Sequence, residues 1–344
     1  FTGSKHHNIA LRKHALKHKL SLSDYGIYQV KGKKRILQKI KTEEAFYKRL
    51  KMDWIPPELR EDRGEIEAAL DNKIPKLIQL SDIKSDLHIH SDFDIETSHD
   101  VGASSMEEIV EVANRKGYEY IALTEHNPSK SKHKEGQIID LIKRKKDKIE
   151  RLNSSIQESR TKGHNSLSTS KGNNDSIKSK SSTRVKKARP HATGTQATVG
   201  RVFNSIEIDM LPKGGLPVSD EGLEILDFAL VSIHSAFRLS RDKMTRRVLD
   251  SLAHPKAKIF AHPTGRRLNE REGVELDWEK IFEFCVKNSK WIEINASPSR
   301  LDLPDILVKD AIEAGVKLTL GTDAHHIDAM EMMPYGVSVA RRGW

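Results

Sequence analysis

The chain has 344 residues, 36% hydrophobic and 31% charged, with a net charge of +10 and a pI of about 9.4. That length suggests one large domain or two unequal ones, and a basic balance points to a polyanionic partner, most often nucleic acid. No apolar run approaches a membrane span and no signal peptide is visible, so no membrane partner is expected. The single cysteine, Cys285, allows no internal disulfide and fits a reducing, cytoplasmic setting.

The first 60 residues predict a small, basic, mostly helical unit. Thr2-Gly3-Ser4 is a turn leading into a helix through Ile9, Leu11, Ala15 and Leu16. Gly and Ser amides at that helix start offer a seat for phosphate. Ser23-Asp24-Tyr25-Gly26 is a turn before a short strand, Ile27 to Val30, and Thr42 caps a further helix. Trp54-Ile55-Pro56-Pro57 ends the unit, and residues 61–82 are expected to be a connector.

From residue 83 onward strands alternate with helices, the pattern of a parallel α/β fold. Seven strands are predicted: Ile83–His90, Tyr118–His126, Val202–Ile208, Phe228–His234, Lys258–His262, Trp291–Asn295 and Val316–Asp323. Ser105-Met106-Glu107-Glu108 is a capping box for one of the helices between them. Residues 159–200 are rich in Ser, Lys, Thr, Asn and Gly. They carry too little apolar surface to offset their ordering entropy, so a disordered basic insertion is expected there. Cys285 sits among Ile281, Phe282, Phe284 and Val286, as a buried structural thiol would.

The ends of the predicted strands carry the chemistry. His88 and His90 lie two apart on a strand and so point to one face. The following loop holds Asp94, Glu96, His99 and Asp100. Later strands bring Glu125-His126, Glu207, His234, His262 and Asp323-Ala324-His325. A barrel of βα units gathers such strand ends at one mouth. Nitrogen and carboxylate donors without thiolates suit Zn, Mn or Fe, and their number exceeds what one ion takes, so two to three divalent ions are expected.

These motifs resemble the PHP (polymerase and histidinol phosphatase) superfamily, whose fold is a distorted seven-stranded βα barrel around a trinuclear metal site. More narrowly, residues 83–344 resemble the C-terminal module of bacterial and archaeal family X DNA polymerases. Ala-Arg-Arg-Gly-Trp, ending at Trp344, is similar to that family's C-terminus. The resemblance implies metal ligands at His88, His90, His126, Glu207, His234, His262, Asp323 and His325. For the loop carboxylate, Asp100 matches best, with Asp94 and Glu96 as alternatives in a loop longer than the family's. Glu125 stands where Asp is more common.

The N-terminal unit resembles the thumb of the same polymerases. This implies nucleotide or DNA contacts at Phe1, Gly3, Ser4 and Asn8. The expected fold is therefore an α/β PHP barrel preceded by a small α+β thumb. A chain beginning at Phe1 is expected to be a fragment or processed product whose polymerising palm lies upstream.

The implied activity is metal-dependent, Mn²⁺-preferring 3′–5′ exonucleolytic hydrolysis at DNA 3′ ends by a monomer acting on a primer end in gapped or nicked duplex. The implied longer protein would use dNTPs for gap filling in base excision repair. Zn²⁺ and Fe²⁺ are the alternative ions. His234 is expected to stabilise the leaving oxygen, and Arg266, Arg267 and Arg300 to clamp phosphate. The competing readings are a phosphomonoesterase of the histidinol-phosphatase kind and a non-catalytic DNA-binding scaffold.

Overall fold

The computed structural model describes residues 2–168 and 199–344. Ser4 accepts a bond from the His7 amide (3.1 Å) and so caps helix α1 (Lys5–Lys17). An antiparallel sheet follows, in order β1 (Leu20–Ser23), β2 (Gly26–Lys31) and β3 (Lys34–Leu37). Only the middle strand was legible beforehand, because β1 spans four residues and β3 is exposed throughout, with no apolar alternation to read. Thr42 accepts from the Ala45 amide (3.2 Å) and caps α2 (Glu43–Arg49), and α3 (Glu65–Leu70) comes next. Leu11, Leu20, Ile27, Tyr47 and Leu50 share one core with Leu59, Ile66, Ala69 and Leu77. Much of the stretch expected as a connector is thus packed into this unit.

The remainder forms seven parallel strands: β4 (Ser85–Ile89), β5 (Tyr120–Leu123), β6 (Arg201–Asp209), β7 (Phe228–Ser232), β8 (Ala257–Phe260), β9 (Trp291–Asn295) and β10 (Lys317–Gly321). They pair in chain order, and a parallel bridge from Ile89 to Ala324 brings the two ends of the sheet together into a nearly closed barrel. The helices between and after them are α4 (Met106–Lys116), α5 (Glu135–Ser168), α6 (Asp220–Glu224), α7 (Arg241–Leu252), α8 (Trp278–Lys287), α9 (Asp305–Glu313) and α10 (Met333–Gly343). Both halves of the capping box at Ser105 and Glu108 form, which fixes the start of α4. Helix α5 continues to Ser168, so residues 159–168, expected to be disordered, are helical. The Ser159 and Thr161 hydroxyls donate to carbonyls one turn back instead of breaking the helix. Residues 169–198 of that insertion lie outside the described residues, and Val199 near its end is buried.

Strand alternation sorts the side chains. On β6, Ile206 and Ile208 face the helices, while Phe203 packs inward with Leu87, Ala122, Leu230, Ile259 and Ala261. Each fully buried Leu or Ile of these layers contributes roughly 1.5–3 kcal/mol. The pairing of β4 with β5 shifts register between Asp86 and Ile89. That irregularity lets both Leu87 and His88 turn inward, the first into the apolar floor and the second into the polar layer above it.

Helix α10 ties the barrel to the N-terminal unit. Arg341 donates to Glu58 (2.8 Å) and to the Ile78 carbonyl (2.9 Å), and Arg342 donates to Glu61 and Asp305 (3.1 Å each). Arg63 reaches the same Asp305 at 2.9 Å, and Trp344 packs against the N-terminal core. Cys285 is buried and its thiol is pushed up to about 12 by desolvation, so it is an inert core residue. No helix among the described residues is long and apolar enough to cross a membrane.

Candidate metal centre

Glu207, near the end of β6 and fully buried, is the hub of the barrel mouth. Its Oε1 lies 2.7 Å from His262 Nε2 and 3.4 Å from His234 Nε2. Its Oε2 lies 3.2 Å from both His88 Nε2 and His126 Nδ1, and 3.5 Å from His90 Nε2. Asp323, just past β10, places Oδ1 3.4 Å from both His88 Nε2 and His90 Nε2. His325 stacks on His90 with ring centroids 4.1 Å apart. Two of these positions hold unusual backbone: His262 has φ +26° and Asp323 φ +55°, left-handed conformations that concentrate at functional sites.

A second layer orients these groups. Glu293 on β9 accepts from His88 Nδ1 (2.7 Å) with one oxygen and from the His262 amide (2.7 Å) with the other. Gly321 permits this contact, because a Cβ there would lie 2.7 Å from His88 Cβ and closer still to Glu293 Oε1. Asp209, two residues beyond Glu207, takes His234 Nδ1 at 2.6 Å and also bonds His99 Nε2. Asn295 donates to Asp323 at 3.2 Å. Glu125 does not turn toward the centre. It pairs with the buried Lys145 and holds the Ser91 amide (3.0 Å), fixing the backbone just after His90.

The electrostatics follow from burial against charge. Burial would raise the Glu207 carboxyl, but the surrounding histidines, His126 first among them, hold it well below the usual carboxylate range. Asp323 is likewise held low against its burial, chiefly by His88. Desolvation pushes His90 down to about 4 and His126 down to about 3, which leaves both neutral and able to act as ligands. His90 Nδ1 and Nε2, His126 Nδ1, His262 Nδ1 and His325 Nε2 are buried without hydrogen-bond partners. Buried polar atoms are nearly always satisfied, so a cluster of orphaned ring nitrogens beside two carboxylates fits divalent cations. Donor atoms fall into sets within 4.8 Å of one another: His88, His90, Glu207 and Asp323; Glu207, His234 and His262; His90, His126 and His325; His99, His126 and His234.

The cavity above has a volume of about 440 Å³. Arg267, Arg271 and Arg300 line it together with Phe237, Ser297 and Ser299. Arg300 Nε lies 3.4 Å from Asp323 Oδ2, while its Nη1 is buried and unpaired. Arg266, expected in this wall, instead donates to the Arg300 carbonyl (2.8 Å) and the Leu301 carbonyl. Two backbone acceptors draw its guanidinium out of the cavity and into the loop that carries Arg300.

Of the residues singled out from sequence, His88, His90, His126, Glu207, His234, His262, Asp323 and His325 converge here. Asp100 lines the cavity but is exposed and joins none of the donor sets among the described residues. Asp94 accepts the Glu96 amide (2.7 Å), and Glu96 pairs outward with His133 (2.7 Å). Sequence reasoning missed Asp209, Glu293 and Arg271. The first two carried a readable signal, an acid alternating with apolar residues on a buried strand.

In the N-terminal unit, Phe1 lies outside the described residues. Gly3 has φ +101°, and a Cβ there would come 2.5 Å from Arg60 Cβ. The Ser4 hydroxyl accepts the His7 amide as the helix cap. Asn8 donates to the Ser4 carbonyl (3.0 Å) and lines a cavity of about 600 Å³ with Thr2, Tyr25 and the buried Arg60, its own Oδ1 unpaired.

Fold and donor set together give a nearly closed parallel barrel with a histidine- and carboxylate-lined mouth, carrying a small α+β unit in front. Residues 1–61 match the DNA polymerase beta thumb family. Over 344 residues the chain is 32% identical to the DNA polymerase/3′-5′ exonuclease PolX of Bacillus subtilis (strain 168), covering 100% of this chain and 51% of that protein. The chain thus spans about half the length of that relative. A probable phosphatase of Thermoanaerobacter sp. (strain X514) is 28% identical over 134 residues, 36% of this chain and 52% of that protein. Among solved structures, a histidinol phosphate phosphatase from Lactococcus lactis, complexed with zinc, L-histidinol and phosphate, overlaps 75% of this chain and 93% of its own at 16% identity and a TM-score of 0.41. The chain is thus similar in residues 1–61 to a polymerase thumb and over its whole length to about half of that PolX protein.

Proposed function

We propose that the barrel hydrolyses phosphodiester bonds at DNA 3′ ends, as a metal-dependent 3′–5′ exonuclease serving repair. The observation that carries this reading is the convergence of six histidines and two carboxylates beneath an arginine-lined cavity. The presence of a polymerase thumb in the same chain adds DNA as the substrate class.

His88, His90, Glu207 and Asp323 would hold one ion, Glu207, His234 and His262 a second, and His126 and His325 stand beside them for a third. We expect Mn²⁺ at the carboxylate-bearing positions. Ions bound there supply Lewis acidity and lower the pKa of the attacking water. The protein's own contribution is orientation and charge. Glu293 and Asp209 fix the rings of His88 and His234. Arg300 presents its unpaired Nη1 for a phosphate oxygen, and Arg267 and Arg271 add positive charge on the same wall. Arg266 acts as a positioning residue that secures the Arg300 loop. His234 lines the same cavity, with its Nε2 3.4 Å from Glu207 Oε1.

The partners on this reading are a primer 3′ end in gapped or nicked duplex and, in the longer protein, dNTPs. The setting is cytoplasmic and the chain a monomer. A phosphomonoesterase would use the same donors, and the similarity to a phosphatase favours testing it. Turnover should therefore be compared on a small aryl phosphate and on an unblocked DNA 3′ end. Preference for DNA, abolished by chelation, supports the proposal. Efficient turnover of the aryl phosphate alone would replace it with the phosphomonoesterase.

A further inference from the structure

We infer that Phe237, paired with Arg271, is a stacking platform that takes the base of the 3′-terminal nucleotide while its phosphodiester lies over the histidine and carboxylate donors. This deepens the hydrolase reading and rests on it.

The cavity of about 440 Å³ has the size of a site for one small ligand such as a nucleotide. Among the described residues, Phe237 is the one apolar side chain that lines it. The rest of the wall is histidine, carboxylate, arginine and serine. The ring packs against the core cluster that contains Ile233 and Met244, yet stays only half-buried. Covering the exposed part of such a ring is favourable when the covering surface is itself apolar. A nucleobase brings a flat face of that kind, whereas phosphate does not. Arg271 Cζ stands 3.8 Å from the ring centroid. Aromatic rings and arginine guanidinium planes are the surfaces on which proteins stack bases.

Both halves of the platform are anchored. Arg271 donates to the Gly265 carbonyl through Nε (3.1 Å) and Nη2 (2.7 Å). Gly265 has φ +62°, and a Cβ there would come 3.2 Å from Phe237 Cε1, so glycine lets the loop after β8 lie against the ring. Phe237 follows His234 on the loop after β7. The Arg247 guanidinium ties that loop down, donating to the Ser235 carbonyl (2.7 Å) and to the Met210 carbonyl (2.6 Å) beyond β6. His234 and Phe237 line the same cavity, so metal donor and platform share one wall. A surface held in place beforehand gives up little conformational entropy on binding. Stacking accepts every base, so the platform adds affinity without marked sequence preference.

The test uses single-stranded, 5′-labelled oligonucleotides, which take base pairing out of the comparison. One ends in thymidine and the other in an abasic tetrahydrofuran nucleotide. Loss of the full-length band with Mn²⁺ gives kcat and KM for the full chain, for Phe237→Leu and for Phe237→Tyr. Leucine keeps apolar bulk against the core without the flat face, and tyrosine restores that face. Wild type should favour the thymidine end in kcat/KM by about 5- to 100-fold, carried mainly in KM. That ratio should fall to near one in Phe237→Leu and return in Phe237→Tyr. A wild-type ratio near one, a ratio kept in Phe237→Leu, or one lost in Phe237→Tyr overturns the inference and leaves the hydrolase reading standing. A metal-loaded wild-type chain that cleaves neither strand overturns both.

Discussion

Replacing Gly321 with alanine probes the support of the centre without touching a candidate ligand. The new methyl would sit 2.7 Å from His88 Cβ and within contact of Glu293 Oε1. A flexible glutamate could usually swing away, but this one is held at both ends. One oxygen accepts from His88 Nδ1 and the other from the His262 amide, each at 2.7 Å. Relief of the clash must break the bond to His88 or shift β10. Losing a buried, charge-assisted bond costs about 1.5–3 kcal/mol, and overpacking is of the same order. The barrel should therefore lose about 2–3 kcal/mol, read as a fall in the urea midpoint. Loss of the carboxylate behind a ligating histidine should also weaken Mn²⁺ binding 10- to 100-fold, measured by calorimetric titration. Gly136→Ala is the control, since a Cβ there meets nothing within 4 Å. Wild-type stability together with wild-type Mn²⁺ affinity in Gly321→Ala would refute the role assigned to Glu293.

Arg300→Ala should lower kcat/KM on DNA 3′ ends by 10²- to 10³-fold while leaving metal content intact, because the unpaired Nη1 meets substrate and not the ions; full activity in the variant would remove it from the mechanism. Acid should destabilise the metal-stripped protein through His90. Its folded value of about 4 lies below the ordinary 6.5, so the unfolded chain takes up the proton first and stability falls as pH drops from about 6.5 toward 4. The slope is at most about 1.4 kcal/mol per pH unit for this ring, and His90→Gln should flatten that part of the curve in urea melts at pH 7.5 and 5. An identical pH dependence in the variant would contradict the burial argument.

The barrel was legible because each of its strands is a short apolar run ending in a polar donor. The predicted ends at His90, His126, His234, His262 and Asp323 overshoot the hydrogen-bonded ladder, since those residues turn off the sheet toward the cavity. Asp209 and Glu293 were within reach of the same reasoning. Both are inward acids at alternate positions of buried strands, and only attention to motif histidines hid them. The loop after β4 was not legible. Which of His99 and Asp100 joins the histidine cluster depends on how Thr97 and Gly102 pin the backbone, which periodicity does not encode. Arg266 and Arg300 read alike in sequence, and two backbone carbonyls decide which of them faces the cavity.

The central claim is that this centre cleaves DNA from its 3′ end. A 5′-labelled primer–template incubated with Mn²⁺ and the chain, resolved on a sequencing gel, tests it most directly against His88→Ala/His90→Ala. The account predicts a ladder shortening from the 3′ end that disappears in the double variant and with chelator. A ladder that persists in the metal-free, folded double variant, or an intact primer with metal-loaded wild type, would contradict it.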